Sequence, residues 1–226
     1  MQCPGCGAAM QRLTVEAVLG ATMQIDVCSR CRAFWFDPFE SIQLTPASTL
    51  RLFQLIAEQA SAGGSAPWPL ACNCPKCGAR LLPTHDRQRN TPFEYLRCEV
   101  GHGRFTRFTD FLKEKDFIRP LSSQQIHELS QSIRMIHCSN CGASIDLAKS
   151  SACGHCGSPL SILDIRKMAE MASQVHTVLQ PPPALTQPHR EISALITGRA
   201  KDDRSSFNLV DAGLRAVAEW LRHLVH

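Results

Sequence analysis

The sequence has no run of 18 or more apolar residues, which excludes a membrane-spanning helix. Its start, "MQCPGCG", lacks the basic and apolar regions of a secretory leader, so a cytoplasmic location is expected. Also missing are a Ser/His/Asp grouping, a phosphate-cradling glycine loop and an open two-histidine-carboxylate metal site, so no enzyme is expected. Strong charge is lacking too. The net charge of +4 is small, and residues 72–119 hold it all, with ten Lys/Arg against six Asp/Glu. A polyanion would meet the chain there, although the basic density is low for a dedicated nucleic-acid binder.

What the chain does have is cysteine, twelve in 226 residues, with 44% hydrophobic content that excludes wholesale disorder. In a reducing compartment so many thiols read as metal ligands, not disulfides. Eleven fall into three groups. Cys3 and Cys6 are answered by Cys28 and Cys31, Cys74 and Cys77 by Cys98, and Cys138 and Cys141 by Cys153 and Cys156. A C-x2-C pair followed by glycine forms a tight turn that aims two sulfurs at one centre, its backbone amides facing the thiolates. Gly7, Gly78, Gly142 and Gly157 supply that glycine.

Between the first knuckles, β-prone runs at Leu13–Val18 and Met23–Val27 break at Gly20. Between the second, residues 86–91 form the turn region. The expected fold is therefore a small zinc-dependent α+β protein: three zinc ribbons built on short antiparallel β-hairpins, linked by short helices, with a C-terminal helical region. Three Zn(2+) ions are expected, iron of the rubredoxin kind being the minority alternative. Ribbons this small bury too little apolar surface to fold alone, so the metal supplies much of the folding free energy, in a structural role.

The second group needs a fourth ligand. His102, four residues after Cys98 and followed by Gly103, completes a three-cysteine, one-histidine set, with Cys72 and His85 as rivals. Cys72 lies at a poor C-x-C gap, and His85 falls where the hairpin tip is expected. On that reading Cys72 is a spare thiol, with a redox-sensing role as the sharper alternative.

The stretches "CPGCGAAM" and "IDVCSRCRAFWFD", with the acid in "PFES", resemble the transcription factor IIB-type zinc finger of many bacterial proteins. That family typically carries glycine after the fourth cysteine and a Trp-x-Asp-x-Gly-Glu ending. Here Arg32 and Phe39 replace the two glycines, while Trp35, Asp37 and Glu40 are kept. The stretch "CSNCGASIDLAKSSACGHCGSPL" resembles the compact generic zinc ribbon. Both resemblances imply structural zinc and, by analogy, nucleic-acid binding.

The expected organisation is a ribbon over 1–45, a linking helix over 46–71, a basic ribbon over 72–119, and a helix with the third ribbon over 120–160. A helix over 161–180, a proline-rich linker over 181–206 and an amphipathic helix over 207–226 follow. The three ribbons are expected to pack as one body. Asp37, Pro38 and Glu40 read as N-cap, first and third residues of a helix, and Trp35 and Phe36 as cover for the metal site.

Two target classes remain. Phe93, Tyr95, Phe105 and Phe108 alternate with Arg97, Arg104 and Arg107, a pattern suited to stacking bases and neutralising phosphates. The bland alternative makes these aromatics the ribbon's core and the arginines its solvated face. A protein partner, or a second copy of the chain, would instead use the helix over 207–226, where Val210, Leu214, Val217, Leu221 and Leu224 form an apolar stripe.

Overall fold

The structure is a computed structural model. It describes residues 1–60, 69, 71–89, 91–138, 143–155, 157, 159–164, 166–168, 170–171, 209–210 and 213. The chain divides into two compact units, Met1–Asp116 and Phe117–His226. The first two cysteine groups share the first unit, and the third belongs to the second. No helix among the described residues is long and apolar enough to cross a membrane.

The first unit is built on a six-stranded antiparallel sheet. Its strands are β1 (Gln11–Glu16), β2 (Thr22–Cys28), β3 (Ala33–Phe36), β4 (Leu81–Gln88), β5 (Thr91–Cys98) and β6 (Arg104–Arg107). The spatial order β1-β2-β3-β6-β5-β4 makes it two three-stranded meanders joined through β3 and β6. Each hairpin foreseen from the sequence thus gains a third strand after its second knuckle. "AFWF" is that strand in the first repeat and "RFTR" in the second.

The two meanders are structural repeats. Cys3 and Cys74, Cys6 and Cys77, and Gly7 and Gly78 are each 71 positions apart. The bridge Gln2–Ala9 recurs as Asn73–Arg80. At the join, Trp35 lies opposite Phe105, flanked by Phe34 opposite Thr106 and Phe36 opposite Arg104, so the repeats meet about a local twofold through the Trp35–Phe105 pair.

Side-chain alternation along β3 separates two faces. Ala33 and Trp35 join the cysteines of both groups, Leu81, Leu96 and Phe105 in one buried cluster. Phe34 and Phe36 point the other way, against α3 (Phe108–Glu114): Phe34 meets Phe108 at 4.6 Å between ring centroids, and Phe36 stacks on Phe111 at 5.7 Å. The linking segment contains α2 (Pro46–Ala60), which packs on β1; Ser48 Oγ donates to the Glu16 carbonyl and Arg51 to the Thr14 carbonyl.

Two local expectations need correction. The helix expected from Asp37 begins at Glu40 instead and forms only α1 (Glu40–Gln43), because Phe39 adopts a left-handed conformation with φ 67°. Half of the capping box survives: the Asp37 N–H donates to Glu40 Oε2 at 2.7 Å. The second hairpin turn is tighter than residues 86–91, since β4 reaches Gln88 and β5 begins at Thr91. His85 therefore sits within β4, exposed and 3.8 Å from Glu94, not at the tip.

In the second unit, α4 (Ser123–Ser132) carries a full capping box: Ser122 Oγ accepts from the Gln125 N–H, and Gln125 Oε1 from the Ser122 N–H. Strands β8 (Met135–His137) and β9 (Ser144–Asp146) pair antiparallel, β8 ending just before Cys138 and β9 following Cys141. The start of the helix expected over 161–180 is instead β10 (Ser161–Leu163), paired with β7 (Ile118–Pro120). Pairing there buries Ile162 and Leu163 completely, and burial overrides the helical spacing. Of the terminal helix, Leu209, Val210 and Gly213 are described and helical, and Leu209 and Val210 are buried. The linker over 181–206 lies outside the described residues.

Candidate metal centres

The first centre is assembled from two turns. Cys3 and Cys6 precede β1, and Cys28 and Cys31 span the β2–β3 connection. Their four sulfur atoms lie within 4.8 Å of one another, with Cys3–Cys31 and Cys6–Cys28 both at 3.7 Å. That is far from the roughly 2.05 Å of a disulfide. It matches the separation of about 3.8 Å expected between two thiolates bound tetrahedrally at 2.3 Å from one ion.

The knuckles carry the backbone pattern that their glycines foretell. The Gly7 N–H donates to the Cys3 carbonyl at 2.9 Å with Gly7 at φ 69°, and the Gly5 and Cys31 N–H groups point at the Cys3 and Cys28 sulfurs at 3.4 Å. Burial holds the Cys3 thiol up at about 12 and raises that of Cys31 as well. Cys6 moves down: burial opposes this, but the Ala8 backbone amide and the neighbouring thiols outweigh it. The cluster alone therefore retains protons, and a dication that neutralises the thiolates would release them.

The second centre answers the question of the fourth ligand. Cys74, Cys77, Cys98 and His102 bring their ligand atoms within the same 4.8 Å. His102 Nδ1 is 3.7 Å from the Cys98 sulfur and 3.9 Å from that of Cys74, while Cys77 and Cys98 are 3.7 Å apart. The extra residue in this knuckle is absorbed at Gly101, with φ 88° and its N–H donating to the Cys98 carbonyl. Gly103 follows at φ 132°, where a Cβ would lie 2.3 Å from the Phe36 carbonyl oxygen, so only glycine fits. Slight burial opposes it, yet the Cys98 thiol falls to about 6, lowered by the His102 backbone amide and by Cys74 and Cys77.

Neither rival ligand takes part. Cys72 is buried, its thiol raised to about 11 by burial alone, and its carbonyl accepts from the Leu81 N–H at 2.9 Å. Met1 plays the same part in the first repeat, accepting from Met10 at 2.9 Å. Cys72 is thus the counterpart of Met1, an apolar strut beneath the knuckle.

Half of the third centre is visible. Cys138 and Cys153 are buried in one cluster with Ile136, Ile145 and Leu160. The Cys138 N–H donates to the Ala143 carbonyl just as Cys3 does to Ala8 and Cys74 to Ala79, and Gly157 closes on Cys153 as Gly7 does on Cys3. Cys141 and Cys156 lie outside the described residues.

The arginines and aromatics of the second repeat have separate fates. Phe93, at 7% exposed, and Phe105 and Phe108 are core residues. Arg107 is held by Glu94 and by the fully buried Asp110. Arg104 pairs with Glu114 at 2.7 Å and lies 4.7 Å over the Tyr95 ring. Arg97 is exposed and has no partner among the described residues. Of the set singled out in the sequence, Tyr95, Arg97 and Arg104 remain at the surface, lining a common groove with α1.

Compared with known families, curated proteins and solved structures, the chain matches none of them.

Proposed function

We propose that the chain is a zinc-binding, non-enzymatic protein whose metal centres are structural and whose first unit presents a surface for nucleic acid. The observation that carries the metal reading is the convergence of four ligand atoms in each of two clusters, which leaves no coordination position for water or substrate. Zinc is favoured over iron because one repeat uses histidine where the other uses cysteine, and mixed sets of this kind are a zinc habit. The ribbons would gain most of their stability from the ion.

The family resemblance gains support from backbone conformation. Arg32 and Phe39, the two positions where glycine is expected, both have positive φ, 49° and 67°. Nucleic-acid binding draws support from Arg97 and Tyr95 on the most basic part of the chain.

Elemental analysis should find zinc in the purified protein, and chelation should unfold it. Binding to a labelled oligonucleotide that weakens steeply with added salt would uphold the nucleic-acid reading, and no binding at low salt would end it.

A further inference from the structure

Beside the second cluster, α1 and its approach face the outer part of β5 and β6 across a groove of about 400 Å3. Tyr95, Arg97 and Arg104 line one wall, on the strand face opposite Leu96 and Phe105. Phe39 and Ile42 line the other, 70% and 71% exposed. Gly103 of the His102 knuckle lies between them.

Leu19 and Phe39 both combine a left-handed backbone with an exposed apolar side chain, and the one that lines this groove is Phe39. Its left-handed conformation costs a non-glycine residue roughly 1–2 kcal/mol, and the exposed ring recovers none of that through packing. Strain kept without a folding return marks binding sites. Opposite it, Arg104 is sandwiched between the Tyr95 ring at 4.7 Å and the Phe36 ring at 5.7 Å, and Lys115 joins it on Glu114. Of the charged residues that line the groove, Arg104 is held by Glu114 and Asp37 by Lys76 at 2.6 Å, which leaves Arg97 as the cation with no partner among the described residues. The groove therefore offers the exposed Phe39 ring and one uncommitted cation, beside a Tyr95 ring that Arg104 already covers.

We propose that this groove holds one unpaired nucleotide of a single-stranded nucleic acid, its base stacked on Phe39 and its phosphate on Arg97. The proposal rests on the nucleic-acid reading above and adds the strandedness and the subsite. The groove's volume is at the small end of the roughly 300–1,000 Å3 typical of ligand pockets, which suits one nucleotide and is too small for a partner helix. A base paired and stacked within a duplex cannot turn its face onto Phe39 in the groove. Stacking is tolerant of sequence, so little base preference is expected.

The test is fluorescence anisotropy of zinc-loaded full-length protein with short labelled homopolymers, single-stranded and as matched duplexes. Single strands should bind more tightly. Phe39→Gly should weaken them by about tenfold while leaving the melting temperature unchanged or raised, because it removes strain along with the ring. Arg97→Gln should reduce the slope of log affinity against log salt by about one. Duplex binding as tight as single-strand binding, or an unaltered affinity in Phe39→Gly, would overturn the subsite and leave the broader reading standing. Absence of binding to any oligonucleotide would overturn both. Loss of a copurifying protein in Phe39→Gly with unchanged oligonucleotide affinity would make the groove a protein site instead.

Discussion

Trp35 and Phe105 stand directly opposite each other across the β3–β6 pair, and each ring lies against the other repeat's knuckle. A Cβ on Gly103, beside His102, would lie 3.1 Å from the Trp35 indole, and one on Gly5, in the first knuckle, 3.3 Å from the Phe105 ring. Lys76, inside the second knuckle, reaches back at 2.6 Å to Asp37, which also accepts from the Trp35 indole at 2.9 Å. The two centres are therefore parts of one cluster and should respond to each other.

Trp35→Leu should speed loss of the ion from the second centre more than from the first, and Phe105→Leu should do the reverse. Each substitution should also destabilise the unit by roughly 2–4 kcal/mol. Cobalt-loaded protein separates the centres, since three-sulfur and four-sulfur sites absorb differently. Equal release rates from both centres in both variants would contradict the exchange of cover.

Wild-type protein should carry about three zinc ions per chain, one per ligand set. His102→Ala should lower that count by one, whereas Cys72→Ala and His85→Ala should leave it unchanged. An undiminished count in His102→Ala would remove this histidine from the ligand set.

Glycines of the two knuckles should differ in what they tolerate. Gly78→Ala places its Cβ in open space at φ 74° and should cost roughly 1 kcal/mol. Gly103→Ala drives a Cβ into the Phe36 carbonyl and should cost roughly 3 kcal/mol or more. Urea midpoints with zinc in excess would measure both, and similar midpoints would refute the contact.

Glu40 is half-buried, and desolvation raises its carboxyl from an ordinary 4.5 to about 7. An acid raised in the folded state favours folding while protonated. That contribution is complete below pH 4.5 and is lost as pH rises to about 7. Glu40→Gln keeps an acceptor for the Asp37 N–H without the charge. Its unfolding free energy relative to wild type, followed through the melting temperature, should therefore climb between pH 5 and pH 8 by an amount on the order of 1 kcal/mol after solvent screening. A flat difference over that range would show that Glu40 ionises normally.

Cysteine spacing determined the ligand sets of the first two centres, because a C-x2-C-Gly turn can close in few ways and its geometry is local. The glycine behind His102 pointed to the fourth ligand of the second centre for the same reason. The strand run from Met23 and the helix before the third cysteine group were legible from β-prone composition and helical spacing. Long-range pairing was not legible. Only the tertiary structure placed β3 against β6, made the two hairpins one repeated sheet, and turned Trp35 toward the partner repeat's cluster. Strand partners depend on burial summed over residues far apart in the chain. The same contacts sent Phe93 into the core, tied Arg107 to Asp110 and left Arg97 and Phe39 outside, a division that the alternating aromatics and arginines could not reveal on their own.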